Sequence, residues 1–273
     1  MHTNRKGAQC DDRTSKAWKK KKDHKDNTRH CHGALHICHA CSSAFFCDGK
    51  CFKGGAWILS ESYLHKLRAV STQGDFDSNS FCGSYQHLLW NYIYFPLEGY
   101  LYPETYNFYK ETNIEQVIRK VLNVTKERLE PLKSKIESSK YNIHELLTIA
   151  SIAEKEANTN SDRAMVTQVI YKRLGLNMAL GMDVTSYYGV QKEMTEAITQ
   201  LDLNDKNPYN TRVTTFIGLP VGPICNPSIG SINAALEPAD TDYLYFVADI
   251  LTGKVYFAKT NEEFNALVKK YVK

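Results

Sequence analysis

No apolar run in this 273-residue chain approaches the roughly 18 residues that a membrane helix needs. The best candidate, Ala56-Trp57-Ile58-Leu59, is far too short. No secretory leader is expected either, because Lys19 to Lys22 are followed by more charge rather than by an apolar stretch. Basic excess is confined to one end. Residues 1–30 hold ten Lys/Arg and four Asp, which leaves 24 basic and 26 acidic groups for the rest. The formal charge of +4 therefore belongs to a tail, and the body has no basic footprint for nucleic acid. Cysteine is scarce where the chain looks globular. Cys10, Cys31, Cys38, Cys41, Cys47, Cys51 and Cys82 all lie in the first 90 residues, and only Cys225 lies beyond them. Seven cysteines leave one unpaired and no leader accompanies them, which argues against a disulfide scaffold.

What is present divides at about residue 90. Hydrophobic content of 42% and aromatic content of 11% suit a globular protein with a sizeable core. Residues 1–90 show no binary pattern, and three readings compete for them. Cys38-x2-Cys41 and Cys47-x3-Cys51, with His32, His36 and His39 nearby, supply thiolate and imidazole for zinc, although the pairs stand closer than in common zinc modules. The basic run suits a disordered tail. A Cys- and His-rich stretch without periodicity is also what an out-of-frame translation or a misplaced start would give. No metal site is expected in the remainder.

Residues 91–273 read as α+β, a mixed helical and small-sheet domain. Residues 99–108 alternate aromatic and polar side chains and suggest an extended segment. Thr112-x-x-Glu115 has the form of a capping box opening a helix that Pro131 should kink or restart. Ser161 can cap a helix running to Leu174. Residues 178–188 suggest extended chain, and residues 193–200 a short helix. Residues 204–227, rich in Pro, Gly and Asn, predict a long ordered loop, with a helix over 228–236. Two aromatic strands joined at Thr252-Gly253 and a final helix capped by Thr260 and Glu263 complete the pattern.

The most informative segment is the helix ending Ala150-Ser151-Ile152-Ala153-Glu154-Lys155-Glu156-Ala157. At about 100° per residue, Ile143, Leu147, Ala150, Glu154 and Ala157 share one stripe, so Glu154 sits in an apolar wall. Glu156 falls beside Ile149 and Ile152. Only Thr148, Ser151 and Lys155 form a polar strip, which predicts burial on most sides. A carboxyl so placed is paired or hydrogen-bonded, or it is protonated with the raised pKa a general acid needs.

This helix resembles the signature of the endolytic murein transglycosylases, the YceG-like family. Further stretches resemble that family in the same order: Leu97 to Tyr106 (LEGYLYPETY), Asp162-Arg163 with Val169 to Leu174, Met182 to Gly189, Tyr209-Asn210-Thr211, Gly218 to Pro227, and Pro238 to Ala248. Two positions depart, Lys172 for the family's Asn and Val184 for its Pro. The resemblance implies non-hydrolytic cleavage of the MurNAc–GlcNAc β-1,4 bond in peptidoglycan, leaving 1,6-anhydro ends and needing no cofactor. One glutamate would serve as acid and then as base. The apolar stripe selects Glu154, with Glu156 as the runner-up and Asp183 as a second acid or electrostatic support. Glu98 and Glu104 read more readily as a structural strap than as a second acid pair. The family match nominates Thr185, Tyr188, Asn210 and Thr211 as substrate-binding residues. It also implies glycan strands as partner, cell-wall synthases as further partners, and the extracytoplasmic face of the membrane as location. Members normally carry a membrane helix and a LysM-like domain that this chain does not show. Two other functions fit the residues less well: an inert peptidoglycan-binding scaffold, and a metal-dependent regulator built on the Cys/His cluster.

Overall fold

A computed structural model describes residues 92–109, 111–213, 217–249 and 252–272, together with the backbone of two strands, β1 (His32–Ile37) and β2 (Ala44–Cys47). These strands form an antiparallel sheet in the order β2-β1-β3, where β3 is Thr105–Tyr109 and His32 stands opposite Tyr109. Two segments of the stretch read as patternless thus pair with the α+β body. The zinc and basic-tail readings otherwise fall outside the described residues, and among those residues no cluster of metal-ligating side chains occurs.

Tyr106 and Phe108 alternate inward from β3 and pack on Val117 and Val121 of α1 (Ile114–Leu129), forming a small core of their own. The capping box that opens α1 is Asn113 with Gln116, one residue later than the sequence suggested. Pro131 ends α1 as expected, in a 3-10 turn over Glu130–Leu132 that restarts as α2 (Lys133–Ser138).

The main core is built around α3 (Ile143–Glu156), opened by a capping box of Asn142 and Glu145. Leu146, Leu147, Ile149, Ala150, Ile152 and Ala153 are essentially inaccessible, and each buried Leu or Ile is worth about 1.5–3 kcal/mol. Its neighbours are α4 (Asn160–Gly175), α5 (Asp183–Gly189) and α7 (Ile229–Leu236). The expected polar strip does not reach water at its first two positions. Thr148 and Ser151 are buried, and the Ser151 hydroxyl accepts the amide of Ile224 in the 217–227 loop at 3.0 Å. His144 bridges the same loop to the segment before β3. Its ring nitrogens meet the Tyr100 hydroxyl at 2.8 Å and the Val221 carbonyl at 2.9 Å. Asn226 Oδ1 accepts the amides of Gly99 and Leu101. Gly99 is required there, since its φ is +86° and a Cβ would lie 2.4 Å from Pro223 Cγ.

Residues 183–189 are helical rather than extended, and the short helix expected over 193–200 is instead α6 (Gln200–Leu203), capped by Thr199. Thr159, not Ser161, caps α4. The hairpin β4 (Tyr245–Ala248) and β5 (Val255–Ala258) and the capped helix α8 (Asn261–Tyr271) follow the sequence closely. No helix among the described residues is long and apolar enough to cross a membrane.

Candidate active site

The two glutamates at the end of α3 have opposite surroundings. Glu154 Oε1 accepts Arg163 Nη2 at 2.8 Å. Its Oε2 accepts the Ser228 amide at 3.0 Å, the Ser228 hydroxyl at 2.5 Å and the Ser231 hydroxyl at 2.7 Å. Burial alone would push this carboxyl up. The bonds from Ser228 and Ser231 and the Arg163 charge outweigh it, and Glu154 titrates below the ordinary carboxylate value. The raised pKa expected from the apolar stripe is therefore absent. That stripe packs against the start of α7 and against α4, whose polar residues provide four donors. Glu154 is a fixed anion joining three helices.

Glu156 has the property that the sequence assigned to Glu154. Burial pushes its carboxyl up to about 8, and the nearby Asp183 charge adds to the rise. The Val184 amide, in the first turn of α5, bonds to it and works in the other direction. The residue nevertheless keeps part of its surface. It is a desolvated acid, which holds its proton at neutral pH. Asp183 is exposed and paired with Arg212. Asp183→Asn is expected to lower the Glu156 midpoint by less than about one pH unit, because an exposed charge is screened. A carbon-13 titration of labelled glutamate measures this, and an unchanged midpoint would contradict the coupling.

The nominated substrate-binding residues are framework in this geometry. Thr185, Asn210 and Thr211 are buried, and their polar atoms are committed to protein. The Thr211 hydroxyl accepts the Met182 amide at 3.0 Å and meets the Thr185 hydroxyl at 2.8 Å. Asn210 Oδ1 accepts from the Ser186 hydroxyl at 2.8 Å, while Nδ2 donates to the carbonyls of Leu203 and Asp205. Together they set the first turn of α5 against Glu156. Tyr188 points its hydroxyl inward, where it is buried, and its ring stacks on Tyr94 and meets Tyr209 edge-on. Sequence reasoning named Arg163 within a family motif but not as a partner of Glu154, and it passed over Arg212, Ser228 and Ser231 as parts of the site. The last two were visible only as the start of a helix, and nothing local marks them as partners of a glutamate 74 and 77 positions earlier. Glu104 pairs with Arg128 at the surface at 2.9 Å, which fits the strap reading, whereas Glu98 is buried beside Tyr188.

Comparison with known proteins matches the chain to one family. A model of the YceG-like family covers residues 16–270, a range that takes in much of the stretch before residue 90. An endolytic murein transglycosylase of Bacillus subtilis (strain 168) is 41% identical over 178 residues, covering 65% of this chain and 48% of the relative. One of Streptococcus pneumoniae serotype 2 is 37% identical over 181 residues, covering 64% of this chain and 32% of its own length. The chain thus spans half or less of the curated relatives it matches. A crystal structure of a YceG-like protein from Listeria monocytogenes superposes with a TM-score of 0.60 at 37% identity, over 76% of this chain and 69% of that one. Fold, motif order and family model agree, and the chain belongs to the YceG-like family.

Proposed function

We propose that this chain is an endolytic murein transglycosylase in which Glu156 is the proton donor and acceptor. The relatives named for that activity support the reaction class. The observation that carries the assignment is the desolvated carboxyl of Glu156, held protonated up to about 8 beside the exposed Asp183. Glu156 gives its proton to the glycosidic oxygen as the C1–O4 bond breaks and positive charge spreads over C1 and the ring oxygen. The Asp183 carboxylate places negative charge near that cation. The muramyl 6-hydroxyl then attacks C1 and its proton passes to the Glu156 carboxylate, which restores the acid. An internal hydroxyl replaces both water and an enzyme nucleophile, so one carboxyl suffices where hydrolytic glycosidases need two. Arg212 fixes Asp183, while Thr185, Asn210 and Thr211 hold the Val184 amide in place. The substrate in this reading is the glycan strand at the extracytoplasmic face of the membrane, where cell-wall synthases would be neighbours.

Digestion of purified peptidoglycan by the full chain, followed by mass spectrometry, tests the reading. Muropeptides ending in 1,6-anhydroMurNAc are expected. Reducing muramyl ends would mean hydrolysis and call for a second catalytic carboxyl. No release at all would favour an inert binding protein.

A further inference from the structure

A pocket of about 250 Å³ lies at the end of α3 remote from Glu156. Tyr141 lines it just before the Asn142 cap, and the 14 residues of α3 put the other end of that helix about 20 Å away. The Tyr141 and Tyr171 rings stack there, with centroids 4.9 Å apart and 16° between their planes. Tyr171, from α4, is held by its hydroxyl, which donates to the Ala235 carbonyl at 2.5 Å. The Lys140 ammonium stands 4.8 Å from the centre of the first ring and 5.7 Å from that of the second. Lys135 of α2 is engaged by Glu237 at 2.6 Å. Lys140 is exposed and has no carboxylate partner among the described residues. The Ser139 hydroxyl accepts the Tyr141 amide at 3.1 Å, a bond that leaves its own proton free to donate. Two ammonium groups against one carboxylate give the pocket an excess positive charge, and Ala235 and Leu236 add apolar surface.

We propose that this pocket is a second substrate site, which takes the carboxylate end of a peptide stem carried by the glycan strand. The identity of the ligand rests on the function proposed above. The donors available are the Lys140 ammonium and the Ser139 hydroxyl, and both suit a carboxylate. A sugar ring fits less well. It needs a bare aromatic face, and here the two tyrosines stack on each other while Lys140 stands over both. The volume is below the roughly 300 Å³ at which drug-sized ligand pockets begin, so a small terminal group is the right scale. The proposed substrate carries such a group, because the stems on its muramyl units end in a carboxylate beside an alanine methyl. That methyl would lie on Ala235 and Leu236. At about 20 Å from Glu156 the pocket can hold a strand but cannot touch the bond that breaks. Its effect belongs in KM rather than in kcat.

The test titrates the full, nitrogen-15-labelled chain with diacetyl-lysyl-D-alanyl-D-alanine and follows backbone amide shifts. Saturable shifts are expected at residues 139–141 and 235–237. The same peptide with its C-terminus amidated should leave them unmoved. Lys140→Gln should weaken binding by up to about fivefold, the worth of one exposed ion pair. Glu237→Gln should tighten it by a similar factor, because it frees the Lys135 ammonium. Both side chains are exposed, so neither change threatens the fold. Equal binding of acid and amide, an unchanged affinity in Lys140→Gln, or no shifts at millimolar peptide would overturn the proposal. So would the same shifts produced by glycan strands stripped of their peptides. In anhydromuropeptide release, Lys140→Gln should raise KM for peptide-bearing strands by up to about fivefold, with kcat unchanged and with stripped strands unaffected. An unmoved KM would overturn the role in substrate binding. If the wild type binds the peptide but releases no product, the pocket stands and the functional reading fails.

Discussion

Glu154→Gln is expected to cost about 3 kcal/mol of stability, because it breaks a buried ion pair and leaves one partner charged. The wild-type carboxylate accepts four hydrogen bonds, one from Arg163 and three from Ser228 and Ser231. A glutamine has a single acceptor oxygen. If that oxygen takes the three serine donors, the amide group meets the Arg163 guanidinium, and donor faces donor. Arg163 keeps its bonds to the Ala157 carbonyl and Asn160 but loses its counter-charge. For a domain of this size the loss corresponds to a melting temperature lower by roughly 10 °C. The sign of the pH dependence also distinguishes the residue. Its folded pKa lies below the ordinary 4.5, so its stabilisation is present above that value and is lost as pH falls through the lower one. Wild type should weaken in acid more than the variant does. Urea unfolding at pH 7 and pH 3.5 checks both statements. Equal midpoints at pH 7 would show that the four-bond arrangement contributes nothing.

Glu156→Gln should do the reverse. Product release is expected to drop by about 10²–10⁴-fold, the usual worth of a positioned proton donor. Stability should hold or rise. The Gln oxygen can still accept the Val184 amide, and the variant no longer keeps a carboxyl that resists ionisation until about 8. Because the folded pKa is raised, the wild-type group stabilises below 4.5 and ceases to do so as pH rises through about 8. The melting temperature of the variant should therefore match wild type near pH 4 and exceed it at pH 8.5. Loss of activity accompanied by loss of stability at both pH values would indicate a structural role.

The sequence carried the framework well where local chemistry decides it. The cap of α8 and the β4–β5 hairpin follow from Thr260 and Gly253 acting on their own neighbours, and α7 begins at Ser228 as the pattern suggests. It carried α5 poorly. Val184, Thr185, Tyr187 and Tyr188 suit an extended chain by themselves, and what makes them helical is Thr211, bound to the Met182 amide and to Thr185 from a distant loop. The two glutamates show the same division. Periodicity places Glu154 correctly in a buried wall, but whether a buried carboxyl is ionised depends on its donors. Those donors come from α4 and α7. The strands β1 and β2 were not legible, because His32–Ile37 and Ala44–Cys47 lack the long alternation that marks a half-buried strand.

The division of labour between the two carboxyls is open to direct measurement by carbon-13 titration of side-chain-labelled glutamate in the full chain, with Glu154→Gln and Glu156→Gln supplying the assignments. The account predicts that the Glu156 carboxyl titrates with a midpoint near 8 and that Glu154 stays ionised to below 4.5. The opposite assignment, with Glu154 protonated at neutral pH and Glu156 ionised, would contradict it and return the proton donor's role to Glu154.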